Sequence, residues 1–73
     1  MKPIIKTKLK KLLKNKTILV TGGAGSIGSE VTKKMLSFPV KSVRVLDIDE
    51  HALFKLRRVV KDSRLRLLLG SIL

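Results

Sequence analysis

The chain has 73 residues, with seventeen Lys+Arg against five Asp+Glu for a formal charge of +12, so it is bounded to one small, strongly basic domain. It has no cysteine for a disulfide framework, and its single histidine, His51, has no second ligand-type residue at metal spacing, so no metal site is expected. No apolar run approaches the eighteen residues of a membrane span and no hydrophobic signal core follows the early lysines, which makes the cytoplasm the expected location.

Residues 1–15 read as a basic amphipathic helical extension. Ile5, Leu9, Leu12 and Leu13 recur at i, i+4, i+7 and i+8 among lysines. Asn15 suits the left-handed position after the helix, and Lys10, Lys11 and Lys14 complement the negative end of its dipole. The apolar stripe is expected either to lie over a bare sheet face or to connect to an upstream region. Seven lysines and no acid fall in residues 1–16, so an anionic membrane surface is one reading. Without anchoring aromatics, a solvated helix is the preferred one. Specific nucleic-acid recognition is not expected either, because the two aromatics, Phe38 and Phe54, read as core and the charge alone gives only salt-sensitive, nonspecific binding.

Residues 16–73 read as a nucleotide-binding unit. A strand over 17–21 runs into Thr21-Gly22-Gly23-Ala24-Gly25-Ser26-Ile27-Gly28, which fits G-x-G-x-x-G from Gly23 and G-x-x-G-x-x-G from Gly22. A pyrophosphate needs backbone N–H groups within about 3 Å, and a β-carbon on the turn would hold it off. The first glycine permits the turn, the middle one close approach, and Gly28 tight packing of the helix that follows. That helix directs its unpaired N–H groups at the anion. The P-loop alternative fails, since Ser29 and Glu30 stand where Lys and Ser/Thr are required.

The helix is expected over 26–37, burying Ile27, Val31, Met35 and Phe38 and stopped by Pro39. A strand over 43–47 delivers Asp47 at its carboxyl end, nineteen positions after Gly28, where a carboxylate accepts the ribose hydroxyls of an adenosine. The competing reading of Asp47 is a salt bridge, for instance with Arg44. A second helix over 50–61 is N-capped by Asp49, has Glu50 in its first turn, buries Leu53, Leu56, Val59 and Val60, and leaves Arg57, Arg58 and Lys61 in water. A third strand is expected over 65–69.

These elements make an α/β unit, half of a Rossmann (βαβαβ) dinucleotide-binding domain, with spatial strand order 3-2-1. Right-handed crossovers place both helices on one face of the sheet, leaving the other face bare and the first strand as an open edge. The expected consequences are poor solubility, a homodimer through that strand, or dependence on a second chain supplying the missing half.

The run from Lys16 to Glu30 resembles the opening of the extended short-chain dehydrogenase/reductases, in particular the polysaccharide-biosynthesis nucleotide-sugar 4,6-dehydratases and epimerases of the capsule and flagellin-glycosylation type. Ser26-Ile27-Gly28-Ser29-Glu30 is the more specific stretch, because related epimerases place an aromatic at the Ser26 position. Leu46-Asp47-Ile48-Asp49-Glu50 with Leu53 matches as well. The resemblance covers about residues 16 to 72, roughly the first quarter of such an enzyme. It implies a dinucleotide held by Gly22, Gly23, Gly25, Ser26, Ile27, Gly28, Asp47 and Ser71. At Ser71 the family carries an aspartate that contacts adenine, so a hydroxyl stands in for a carboxylate there.

NAD is expected over NADP, since the Asp47 carboxylate repels a 2′-phosphate and Ile48 offers no arginine to receive one. The family's Tyr-x-x-x-Lys pair lies well downstream, and this chain contains no tyrosine, so no catalytic residue is expected within it. The chain therefore reads as the NAD(P)-binding N-terminal portion of a nucleotide-sugar dehydratase or epimerase, truncated, frameshifted or one piece of a split enzyme, and not catalytic alone. The alternative is a small basic interaction protein that binds a partner chain or an anionic surface without cofactor.

Overall fold

A computed structural model describes residues 3–71, with side chains described from residue 7 onward. In chain order the elements are α1 (Pro3–Leu13), β1 (Thr17–Thr21), α2 (Ser26–Leu36), β2 (Ser42–Asp47), α3 (Glu50–Val59) and β3 (Leu65–Leu69). The three strands form one parallel sheet in the order β1-β2-β3. This is the α/β, half-Rossmann architecture that the alternation of elements implies.

The β2 strand is central, so its inward side chains are covered on all sides. Val43 and Val45 are fully buried, and Leu36, Phe38, Val40, Leu53, Leu56 and Leu65 complete the core beneath α2 and α3. Ile18, Val20 and Leu67 flank it from the outer strands. Side chains of opposite parity point away from the helices. On that face Leu19 is 56% exposed and Leu68 43%, Leu46 is half-buried, and Arg44 and Arg66 are exposed.

The α1 helix does not cover that face. Leu9 and Leu13 instead pack against the core cluster on the helix side, and Leu12 stays exposed. Asn15 is left-handed (φ 60°) as its position requires, and its N–H donates to the Pro39 carbonyl at 2.9 Å, which ties the end of α1 to the loop before β2. Ile5 lies outside the residues whose side chains are described.

Four expected burials differ from the structure. Ile27 is 83% exposed and Val31 is also exposed, while Thr32 and Leu36 are the buried positions of α2. The rotation follows from Gly28, which must face the glycine turn and so sets Thr32 and Leu36, four and eight residues on, toward the sheet. Phe54 is 57% exposed, and Val59 is exposed too, because α3 covers the edge strand β3 and only its Leu53–Leu56 line reaches the core. The helices also stop slightly early. The Ser37 N–H folds back to the Lys34 carbonyl at 3.1 Å just before the Phe38-Pro39 step, and Val60 is already extended.

A guanidinium clamps this end of the core. The Arg64 Nη2 donates to the Leu36 carbonyl at 2.5 Å, and Nη1 donates to the carbonyls of Phe38 and Val40 at 2.9 and 3.4 Å. Asp62 holds it through Nη2 at 2.9 Å and Nε at 3.1 Å. One side chain thereby satisfies the last carbonyl of α2 and the loop leading into β2. Nothing in the periodicity of the sequence singles out Arg64.

Candidate dinucleotide site at the strand ends

Each glycine of the turn after β1 meets a different physical demand. Gly22 is left-handed (φ 64°), and its N–H donates to the Leu46 carbonyl at 2.7 Å, carrying the sheet pairing one residue past β1. Gly23 is buried, and a β-carbon there would sit 2.8 Å from methyl groups of both Val20 and Val45. A β-carbon on Gly28 would strike the Gly22 carbonyl oxygen and lie 2.5 Å from the Gly23 Cα, so the first turn of α2 rests directly on the loop. Thr32 reinforces this contact by donating to the Gly28 carbonyl at 2.8 Å.

Gly25 is the exception. Its backbone is extended (φ −70°, ψ 175°), a conformation open to any residue, and a β-carbon there would approach nothing nearer than the Gly22 carbonyl oxygen at 4.0 Å. It is also the N-cap of α2, which it leaves without a side-chain cap, whereas Asp49 caps α3 by accepting the Ala52 N–H at 3.1 Å. The backbone N–H groups of Ser26 and Ile27 belong to that uncapped first turn, although the Ile27 side chain points to solvent.

Asp47 crosses from β2 to the turn. Its Oδ2 accepts the Ala24 N–H at 3.1 Å and its Oδ1 accepts the Asp49 N–H at 3.0 Å, while its main-chain carbonyl receives the Gly70 N–H at 2.9 Å. The salt bridge with Arg44 is not formed. Among the described residues the ion pairs are Glu30–Lys33 and Asp62–Arg64, and Arg44 faces the opposite side of the sheet. Each carboxylate oxygen of Asp47 retains a second acceptor site.

Of the residues expected at the site, Gly22, Asp47 and Ser71 line one cavity of about 190 Å³ at the carboxyl ends of the strands, together with Thr21, Leu46, Ile48 and Gly70. Gly25 and Ser26 open instead onto a larger hollow of about 410 Å³ between α2 and α3, beside Lys33 and Lys55. Gly23 and Gly28 lie beneath the turn, and Ala24, whose N–H bridges the two regions, was not singled out by the motif because its contribution is main-chain. A crevice at the carboxyl edge of a parallel sheet is where α/β proteins of this type hold ligands. Among the described residues no cluster of three or more His, Cys, Asp or Glu is placed to hold a metal, and no helix is long and apolar enough to cross a membrane.

A carboxylate held by a guanidinium lies at the opposite end of the strands. The Asp62 carboxyl is held below its usual range, first by the hydrogen bond from the Arg64 side chain and then by the Arg64 N–H at 2.9 Å, with partial burial opposing.

The chain resembles parts of several longer proteins. It is 51% identical over 59 residues to an uncharacterized membrane protein of Methanocaldococcus jannaschii, covering 81% of this chain and 18% of that protein. It is 39% identical over 46 residues to the capsular polysaccharide biosynthesis protein CapD of Staphylococcus aureus, covering 63% of this chain and 8% of that one. Among solved structures it superimposes on Pen from Bacillus thuringiensis with a TM-score of 0.75 at 35% identity, over 82% of this chain and 18% of that chain. The chain thus spans less than a fifth of the length of each of these relatives. The model of the polysaccharide biosynthesis protein family matches residues 18–73, which takes in the glycine turn, Asp47 and all three strands, and the chain belongs to that family.

Proposed function

We propose that this chain binds a dinucleotide, NAD in preference to NADP, over the carboxyl ends of β1 and β2, as the cofactor-holding portion of an enzyme that remodels nucleotide sugars for polysaccharide biosynthesis. The observation that carries this reading is Gly25. No protein atom requires glycine there, yet its β-carbon would fill the space in front of the uncapped α2 N-terminus, where a pyrophosphate would lie.

The neighbouring strand-end cavity, across the turn from Gly25, is compatible. Asp47 has acceptor capacity left for ribose hydroxyls, and Ser71 stands beside it at the place where an adenine would lie. The preference for NAD rests on charge. A 2′-phosphate would meet the Asp47 carboxylate, and Arg44 cannot offset this because it faces away from the helices. Bound NAD supplies a hydride acceptor. These 73 residues contain no tyrosine for the proton-transfer pair of the resembled reductases, so the role assigned to them is holding and orienting the cofactor.

Titration with NAD and NADP, followed by amide chemical shifts, tests the proposal. NAD is expected to move the amides of Gly22 to Gly28 and of Asp47 and Ser71, with NADP binding more weakly. Unmoved amides at millimolar NAD would refute cofactor binding by this chain and favour an interaction role on the same scaffold.

A further inference from the structure

The charges of this chain are sorted along the strand axis. Parallel strands all begin at one end of the sheet, and the segments leading into β1, β2 and β3 bring Lys14 and Lys16, Lys41, and Lys61 to that end. The main chain joins these segments. The Lys41 N–H donates to the Lys16 carbonyl at 2.9 Å, and the Val43 N–H donates to the Arg64 carbonyl at 3.0 Å. The α1 helix finishes at the same end with Lys10 and Lys11 in its last turn. All of these lysines are exposed.

The acids are elsewhere or already paired. Asp47, Asp49 and Glu50 lie at the far end of β2, Glu30 pairs with Lys33 beside the glycine turn, and Asp62 is held by Arg64. The six residues of β2 span about 20 Å, more than two Debye lengths of about 8 Å at physiological salt, so the acids beyond it do not cancel the field of the lysines. Complementing the negative end of a helix dipole accounts for Lys10, Lys11 and Lys14. It does not account for Lys16 and Lys41, which stand directly before strands.

We propose that the amino-terminal end of the sheet rests on an anionic lipid surface, with Lys14, Lys16, Lys41 and Lys61 among the headgroups and Leu12, 66% exposed on the flank of α1, at their apolar boundary. The α1 helix alone lacks anchoring aromatics, and the fold adds lysines to it from the two loops before β2 and β3. Lysine suits such a surface because a compact, hydrated point charge needs no fixed partner geometry. A nucleic acid fits less well. The guanidinium at this end, Arg64, is engaged by main-chain carbonyls, and the aromatic, Phe38, is buried, so neither is free to grip a phosphate or stack on a base. In this orientation the glycine turn and Asp47 face away from the lipid, and the inference is independent of cofactor binding.

Co-sedimentation of the chain with vesicles tests the proposal. At physiological salt the chain is expected to bind vesicles of mixed phosphatidylcholine and phosphatidylglycerol and not vesicles of phosphatidylcholine alone. Each lysine near an anionic surface strengthens binding about fivefold, so Lys16→Glu/Lys41→Glu should weaken it at least about tenfold. The charge-matched variant Lys33→Glu/Lys55→Glu, in the hollow beside the glycine turn, should bind far better than that. Equal loss in the two variants would reduce the effect to net charge and overturn the proposal. Orientation gives a readout that depends on neither variant. The chain has no cysteine, so a fluorophore can be placed on Ser63→Cys, before β3, or on Ile48→Cys, exposed at the far end of β2. Nitroxide-labelled headgroups should quench the first and not the second, and any other pattern overturns the proposal. Absence of vesicle binding overturns it too, and binding of duplex DNA at the same salt would then assign these lysines to nucleic acid.

Discussion

The Asp47 carboxylate accepts the Ala24 N–H at 3.1 Å, joining the end of β2 to the glycine turn that follows β1. A residue expected to bind ribose therefore also braces the loop that would hold the phosphates. Its two tasks can be separated. Asp47→Asn keeps one acceptor oxygen for the Ala24 N–H but loses the charge and the acceptor for the exposed Asp49 N–H, so it should lower the melting temperature less than Asp47→Ala while narrowing the preference for NAD over NADP. Asp47→Ala should lose both, with a drop of about 1 kcal/mol in stability and weaker NAD binding in titration calorimetry. Unchanged selectivity in both variants would remove Asp47 from the ribose site.

Gly25 and Gly28 make a paired test. Gly28→Ala drives a methyl group into the main chain of Gly22 and Gly23, so the helix must lift off the turn, and a loss of about 3 kcal/mol or outright unfolding is expected. Gly25→Ala meets nothing nearer than 4.0 Å in an ordinary extended conformation and should be neutral or slightly stabilising to thermal melting. NAD affinity should nonetheless fall sharply in Gly25→Ala. A Gly25→Ala chain that both folds and binds NAD normally would show that the turn holds no pyrophosphate.

Acid stability should depend on Asp62. Its folded-state carboxyl titrates below the usual aspartate range, so the stabilisation it gives is complete above the unfolded pKa and is lost as pH falls through the lower, folded one. Chemical denaturation across the acid range should show stability falling from about pH 4 downward, and Asp62→Asn should flatten that fall. Arg64→Ala leaves the Leu36 carbonyl without its donor and the Phe38 carbonyl with only the Val40 N–H, and is expected to cost about 2 kcal/mol at neutral pH.

Hydrogen exchange should report the open edge. The bond from the Gly22 N–H to the Leu46 carbonyl fixes the alternation, placing the main-chain groups of Ile18 and Val20 toward β2 and those of Thr17, Leu19 and Thr21 outward. Amides of Leu19 and Thr21 should exchange far faster than that of Val20 in the isolated chain. Strong protection of Leu19 would mean that another strand already pairs with β1, as in the homodimer that the open edge invites.

Much of the fold was legible because local signals agreed with one another. The two apolar runs ending at Val20 and Leu46, the glycine turn, and the caps at Asn15 and Asp49 each name one element, and all six elements form where the pattern puts them. The buried face of α2 was misread for a definite reason. Hydropathy favours Ile27 and Val31, but the backbone contact of Gly28 with Gly22 and Gly23 rotates the helix so that Thr32 faces in, and hydropathy cannot register a contact made by an absent side chain. Phe54 was misplaced for lack of tertiary context, since α3 packs on an edge strand with nothing beyond it. Of the candidate site, the motif residues were legible, but the Asp47–Ala24 bond and the Arg64 clamp join positions 23 to 28 residues apart and carry no periodic signal.

The sequence by itself determined the elements, their parallel order and the chemistry gathered at the strand ends, because strand period, turn residues and caps act over a few neighbouring positions. Only the tertiary structure decided which glycines serve packing and which one stands open, where α1 comes to rest, and that Arg44 and Arg66 lie in register on an uncovered face. Those outcomes depend on how close two backbones approach and on which strand lies beside which, and both are set by packing between distant segments.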